Sequence, residues 1–474
     1  MPDLWDEARP QERRKVMRRA RSILLAASLS AAACAPTTID SRALRSAAMS
    51  RQSDGSRSPP AKDVQELLGR PLTAESAAAV ALLNNHGVRA EIEELGIAEG
   101  RLTQARRLPN PTVEGAMRFE GEGRPELEVG AMIDITDLLL LASRSSAARA
   151  EVDAARLSAI GSILDLSYDT RRAFYVYQAA AELLELRRTV LQSFDASSDL
   201  ATRLREAGNI TELDLASQRS SFEEARLEFQ EAEVGLTAAR ERLNGLMGLW
   251  GKGTGWHATP RLPDVPAQEL ELETLESTAI GRSLDLVIAK NRFGAAAKRA
   301  NLARAQGFLP ELKAGVSAER QEEWSVGPAI EVEVPLFYQG QGEVGVARAQ
   351  MRQQQELYTD VAVTLRASAR NAASRLSAKR EAVLFYKTSL LPLKQKIVEQ
   401  TQLEYNAMLV GLFQLLQAKR DQVRTAAAYV EQHREYWIAR TNAEQLLAGR
   451  RHPEELTRTI TPGAGTPGGA QDLH

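Results

Sequence analysis

The residues whose types and spacing could do chemistry fall in four short segments, about 111–121, 125–137, 310–322 and 325–337. On one parity of these segments stand Glu114, Arg118, Glu120, Glu126, Glu128, Asp134, Glu311, Lys313, Glu319, Glu331 and Glu333, nine acids against two bases, a net of −7. The other parity takes Val113, Gly115, Met117 and Phe119; Leu127, Val129, Ala131, Ile133 and Ile135; Leu312, Ala314, Val316 and Ala318; and Val326, Pro328, Ile330, Val332 and Val334, none of them charged. A surface of that kind works by attraction of cations, not by making or breaking bonds. No enzyme constellation competes with it. The five histidines, His86, His257, His433, His452 and His474, are scattered, no glycine-rich phosphate loop precedes a helix, and no serine-nucleophile motif occurs. The one cysteine, Cys34, excludes an internal disulfide and a thiolate cluster, so neither a cofactor nor a dedicated metal site is expected.

The period of two makes each segment a strand with one apolar and one charged face. Strands of about ten residues patterned this way fit an outer-membrane barrel, wetted by lipid outside and water inside. The competing reading is a pair of amphipathic hairpins on a soluble core. Four strands are too few to close a barrel and cannot leave open edges in lipid, so copies must join. Three copies would supply twelve strands.

Long helices flank the strands. Ser143 to Met247 contains no proline and reads as a hairpin with its turn at Ala207-Gly208-Asn209-Ile210-Thr211. Its outgoing helix would span 65 residues, roughly 100 Å of rod at 1.5 Å per residue. The returning helix carries Leu215, Phe222, Phe229, Leu236 and Leu243 at seven-residue spacing, with Ala225, Ala232, Ala239 and Leu246 alongside, a coiled-coil seam that lets backbones approach closely. The order of elements then repeats at an offset near 200 residues: Leu108-Pro109-Asn110-Pro111 against Gly307-Phe308-Leu309-Pro310, and Gly208–Leu215 against Met408–Leu415. The expected units are 63–247, with a helix over 74–107 broken near 85–87, and 268–450, with a second hairpin over 342–449. The stretch 248–267, rich in glycine and proline, reads as a linker and 451–474 as a disordered tail. In the second hairpin Pro392 should break or kink the ascending helix.

A net charge of −2 with 26% charged residues gives no polycationic signature, so nucleic acid is excluded as a partner. No apolar run of about 20 residues follows the N-terminus. Arg13, Arg14, Lys15, Arg18, Arg19 and Arg21 precede an apolar run from Ile23 to Ala33, the grammar of a signal peptide over 1–33, with Met17 as an alternative start. Ala31-Ala32-Ala33-Cys34 resembles a bacterial lipobox, although Ala31 stands where leucine is usual; the other reading is a secretory signal with an incidental cysteine. Residues 34–62 read as a lipid-anchored tether.

These features, in this order, resemble the TolC-like outer-membrane efflux family over roughly residues 63–450. The local matches are Asn84-Asn85, Leu108-Pro109-Asn110-Pro111-Thr112, Val334-Pro335-Leu336-Phe337 with Gly340 and Gly342, Gly208 to Leu215, and Leu412 to Arg420. The resemblance implies a mixed membrane β-barrel plus α-barrel: an internally duplicated protomer that trimerises into a twelve-stranded barrel and a twelve-helix periplasmic tunnel. It further implies a passive export channel anchored in outer-membrane lipid, fed by a periplasmic adaptor and an inner-membrane pump. The anchor and the Tyr405–Gln417 region are similar to the branch paired with resistance-nodulation-division pumps for heavy metals and drugs. A type I protein secretion duct is the alternative within transport, and a non-conducting coiled-coil lipoprotein the alternative outside it.

In this family the hairpin tips face the pump, which makes Gly208, Asn209, Thr211, Asp214, Arg219, Tyr405, Met408, Val410, Gln414, Gln417 and Arg420 candidates for gating or adaptor docking. Asp214 has two readings, a gate carboxylate or a residue stabilised by a helix N-terminus. The second tip departs from the family pattern: Met408 replaces glycine, Val410 a basic residue, and Gln414 and Gln417 two aspartates, while Tyr405 matches. Closure is expected to rest on Leu409, Val410, Leu412 and Phe413, or on Asp214 with Arg219 and Arg420. The resemblance puts Glu114, Glu126, Glu128, Asp134, Glu311, Glu331 and Glu333 on the barrel lumen.

Overall fold

A computed structural model describes residues 40–52, 63–119, 125–320, 323–334, 336–337 and 339–452. The signal segment, Met17, Cys34, Glu120, Pro335 and the tail beyond His452 lie outside the described residues. In chain order the elements are α1 (Ser41–Met49), α2 (Val64–Leu68), α3 (Ala74–Asn84), α4 (His86–Ala105), β1 (Thr112–Arg118), β2 (Glu126–Asp134), α5 (Ile135–Glu206) and α6 (Glu212–Met247). The second half follows with α7 (Leu275–Arg282), α8 (Leu284–Phe308), β3 (Leu312–Arg320), β4 (Trp324–Val332), α9 (Gln341–Phe385), a π-turn (Tyr386–Leu390), α10 (Leu391–Asn406) and α11 (Leu412–Leu447).

The strands form one antiparallel sheet in the order β1-β2-β3-β4, although β2 and β3 are separated by the whole first hairpin. The register keeps the two faces apart except at the rim, where Arg320 stands opposite Leu127 and Trp324. Val129 lies between Gly115 and Ala318, Ala131 between Val113 and Val316, and Ala314 between Ile133 and Ile330. A slip of one residue would put Glu128 and Glu319 among these side chains, and the alternation forbids it. Val113, Met117, Val316, Val326 and Ile330 are exposed in the single chain, as a lipid-facing band requires.

Each strand continues into one stave of a helical wall. Contacts join α4 to α5, α5 to α8 and α8 to α9 in the upper wall, and α6 to α5, α5 to α11 and α11 to α10 in the lower wall. Sheet and walls thus share one lateral order, and both flanks are open. Along one flank Leu213, Leu227 and Val234 of α6 are exposed; along the other, Leu393, Ile397 and Leu403 of α10.

Three expectations need correction. The second strand ends at Asp134 and not near 137, because Asp134 caps α5: its carboxylate accepts the Asp137 amide at 2.8 Å. Ile135 is therefore helical, and α5 runs 72 residues, about 108 Å of rod. The tether assigned to 34–62 contains α1, whose Leu44 and Ala48 are buried and which leads to Gln52, donating to Ser167 Oγ at 2.9 Å. The stretch 248–267 is no free linker but a strap across the staves. Trp256 is buried edge-on to Tyr177 and donates to Asn244 Oδ1 at 2.7 Å, while Gln178 Nε2 donates to the Thr259 and Arg261 carbonyls at 3.0 and 2.7 Å.

The core sits at the level of this strap. Ile163, Leu164, Tyr168 and Phe174 of α5, Leu243 and Met247 of α6, and Tyr436 of α11 are fully buried there. Elsewhere the wall is one helix thick. In α6 the alanine line (Ala225, Ala232, Ala239) is buried while Phe222, Phe229 and Leu236 are half-buried, so the small residues make the closest approach to α5.

Candidate functional site

Residues from the base of the sheet meet those from the adjoining helices around a cavity of about 370 Å³. Asp134, Asp137, Glu311, Glu333 and Glu343 line it, with Thr136, Gln306 and Gln339 between them. On the charged face of the sheet Arg118 pairs with Glu128 at 3.7 Å, and Lys313 with Glu331 and Glu311 at 3.2 and 3.3 Å, so both bases are already matched. Glu114 stands opposite Gly130 and Glu126 opposite Arg118, on that same face. Among the described residues no group of three or more His, Cys, Asp or Glu is placed to hold a metal ion. What the arrangement can do is attract cations along a path without binding them at one point.

The hairpin tips lie at the far end of the wall. In the first, α5 ends with Ala207 N bonded to Arg203 O at 3.0 Å, Gly208 N to Arg205 O at 2.9 Å and Asn209 N to Leu204 O at 2.8 Å, with Gly208 at φ +74°. This is the doubly bonded left-handed helix ending that glycine favours. The second tip repeats it 200 residues on: Ala407 to Leu403 at 3.0 Å, Met408 to Tyr405 at 3.0 Å and Leu409 to Glu404 at 2.9 Å, with Met408 at φ +58° and almost wholly exposed. The returning helices are capped differently. The Thr211 hydroxyl accepts the Asp214 amide at 3.1 Å, and Asp214 Oδ2 accepts the Thr211 amide and hydroxyl at 3.0 and 2.7 Å. The Thr211 hydroxyl and amide hold the Asp214 carboxyl below its usual range. At the second tip Gln414 Oε1 accepts the Gly411 amide at 3.1 Å, and Gly411 has no hydroxyl to return the bond.

Within the single chain Asp214 is thus engaged as a cap. Arg219 is exposed, and Arg420 lies 5.8 Å from the centre of the Phe194 ring on α5. Gln417 donates to Asp421 at 3.3 Å. Leu409 and Phe413 are exposed beside Met408, and Val410 is half-buried. The capping box was legible as Thr-x-x-Asp at 211–214. Arg205, which clamps the turn by donating to Ile210 O at 3.2 Å and Glu212 at 3.1 Å, had no sequence signal of its own.

At Pro392 the ascending helix does not stay regular. The π-turn Tyr386–Leu390 lies immediately before it and widens the helix where the proline ring would clash and its missing N–H would leave a carbonyl free. The strap grips this level through Lys387 to Asp264 at 2.6 Å and Arg380 to the Pro266 and Ala267 carbonyls at 3.0 Å. Asp264 is held below the usual carboxylate range by that hydrogen bond, and Lys387 is raised by it.

The same level joins the staves end to end. Asn84 Nδ2 donates to Met247 O at 3.1 Å and Gly248 O at 2.6 Å, and Asn85 Nδ2 to Leu246 O at 2.9 Å, so these two amides finish α6 and start α4. In the other half Leu284 N donates to Gly449 O at 2.8 Å, and Arg450 bridges Asp165 and Asp285. Buried nearby, Arg171 pairs with Glu444 at 2.8 Å, and burial pushes the Tyr175 hydroxyl up to about 12.

Residues 79–249 match the family profile described as "Outer membrane efflux protein". The chain is 24% identical over 393 residues to the cobalt-zinc-cadmium resistance protein CzcC of Cupriavidus metallidurans, covering 80% of this chain and 90% of that protein. Its fold is similar to the CmeC outer membrane channel of Campylobacter jejuni, with a TM-score of 0.70 at 15% identity over 84% of this chain and 89% of that one. It is likewise similar to the outer membrane protein VceC of Vibrio cholerae, with a TM-score of 0.66 at 15% identity over 80% and 96% of the two chains.

Proposed function

We propose that the chain, whose residues 79–249 match the outer membrane efflux protein profile, is a non-enzymatic efflux channel of a tripartite system, that three copies close into the conduit and that its cargo is divalent metal cations. The observation that carries the trimer is the common lateral order of sheet and wall, with apolar residues left bare on both flanks. One flank of a copy fits the opposite flank of the next, a head-to-tail contact that closes into a ring. Twelve strands and twelve helices per level then leave no edge in lipid.

The cargo rests on two supports. Five carboxylates crowd the base of the barrel, and the relative in Cupriavidus metallidurans carries cobalt, zinc and cadmium resistance in its name. The tips, Gly208 to Arg219 and Tyr405 to Arg420, receive a periplasmic adaptor, and the pump behind it is of the resistance-nodulation-division type. Cys34 carries the lipid anchor: Cys34→Ser should lose palmitate label and still yield the oligomer, and label retained by that variant would refute the site.

Planar-bilayer recording tests the conduit itself. Purified protein should form cation-selective channels, and the double variant Glu311→Gln, Glu333→Gln should move the reversal potential in a salt gradient toward zero. An elongated, non-conducting oligomer would overturn the channel. Gln414→Asp tests whether the second tip lines the pore. Aspartate can still cap Gly411, as Asp214 caps Thr211, so a rise in divalent block would place the side chain in the pore, and unchanged block would leave it a cap alone.

A further inference from the structure

The strap meets α11 at one carbonyl. Trp437 Nε1 donates to Pro263 O at 2.8 Å, and His433, one turn earlier on the same helix, lines one cavity with Arg261, Leu262 and Asp264 of the strap. His433 is 4% exposed, and its Nε2 has no hydrogen-bond partner among the described residues. We infer that His433 is a proton-sensitive latch: its neutral ring holds the strap closed, and protonation releases the Pro263 turn from α11.

Every charged group packed around the ring bears on this. Asp264 on the strap favours the imidazolium, but it is held by Lys387 from the π-turn at 2.6 Å, and Lys387 opposes the charge. From α5, Glu182 and Glu185 line the adjoining cavity of about 530 Å³, and Glu182 is occupied with the Leu262 amide at 2.6 Å. Arg261 on the strap and Tyr429 on α11, its ring 5.5 Å from that of His433, complete the lining. A proton on Nε2 would create a buried N–H with no acceptor and a charge far from water. Burial accordingly holds His433 below the ordinary histidine range. A depressed pKa in the closed state means that closure is fully favoured above the ordinary range and weakens as pH falls below it. Because the strap also carries Asp264 to the π-turn and the Pro266 and Ala267 carbonyls to Arg380, its release frees the second hairpin at the height where its helix is already irregular.

Hydrogen–deuterium exchange of the strap amides, on the full chain in detergent and corrected for intrinsic exchange, tests the latch. As pH falls below the ordinary histidine range the open population should rise, by no more than about tenfold per unit, the limit for one proton. His433→Asn keeps a polar side chain in the cavity but cannot titrate, so its slope should vanish, while Glu182→Gln, which keeps the acceptor for Leu262, should leave the slope intact. A flat wild-type profile overturns the latch by itself, whether or not the variant folds. An unchanged slope in His433→Asn, or a slope lost only in Glu182→Gln, overturns it too.

Discussion

The two hairpin tips share one backbone and differ in what holds it. The same three amides close each turn at matching distances, yet the first has glycine at the left-handed position and a side-chain Thr211–Asp214 box, while the second has Met408 there and a cap in which Gln414 Oε1 accepts the Gly411 amide and the Gln414 amide returns to the Gly411 carbonyl. Above the tips the contrast continues. The first ascending helix is unbroken for 72 residues, and the second passes through a π-turn ahead of Pro392. Turn geometry is therefore set by the backbone's need to satisfy its last carbonyls, and the side chains around it are free to make one tip firm and the other loose. This contrast predicts that the second hairpin is the looser one.

The joints between staves invert that order, and the largest effect should appear there. In the second half Gly449 sits at φ +97°, and a Cβ would come within 2.3 Å of the Arg282 carbonyl. Gly449→Ala should destabilise the chain by about 3–5 kcal/mol, within the range of the most damaging single changes, seen as a fall in the midpoint of chemical unfolding or as failure to assemble. A loss below about 1 kcal/mol would show that the joint is slack and that the two halves are joined more alike than the contacts imply.

Exchange of the residues at the left-handed position should give the next largest effect, with opposite signs at the two tips. Gly208→Met should cost the first tip about 1–2 kcal/mol, and Met408→Gly should stabilise the second by up to about 1 kcal/mol, since the strain of positive φ is removed while the unfolded chain gains freedom. Amide exchange at Asn209 and Leu409, the residues whose N–H groups close the turns, reads both. Equal protection in the two wild-type tips would remove the asymmetry.

Much of this contrast was readable in the sequence because it rests on side-chain type at repeated positions. The offset of 200 aligns Gly208 with Met408 and Asp214 with Gln414, and the alternation of Val113 to Val334 assigns each strand a face that the register then keeps. The strand's end was not readable. Ile135 continues the alternation of Leu127 to Ile133, and only the capping bond of Asp134 turns it into helix. The strap was missed because glycine and proline signal irregular chain whether it is loose or packed, and Trp256 and Gln178 find each other's elements only in three dimensions. Prolines at 260, 263 and 266 recur every third residue, the period of an extended polyproline segment, and that was the available hint. Pro392 predicts an irregular helix from local sterics alone, but not the π-turn that absorbs the clash.

Removing one hydroxyl should give a smaller effect. Thr211→Ala should loosen the first tip by about 1 kcal/mol, the usual loss of a helix cap, and bring its amide exchange toward that of the second, whose Gly411 already lacks the group. The smallest difference is the response to acid. Because the Thr211 hydroxyl and amide hold Asp214 below its usual range, the folded tip binds its proton less readily than the unfolded chain. The carboxylate's contribution to the cap is therefore complete above the ordinary aspartate range and is lost as pH falls through the depressed one. Gln414 has no proton to gain. Protection of the Thr211 amide should fall as pH drops below the ordinary aspartate range while that of Gly411 stays level, and Asp214→Asn should flatten the first profile to match the second. Parallel profiles in the wild-type protein would mean that the box at the first tip is carried by the Thr211 hydroxyl alone.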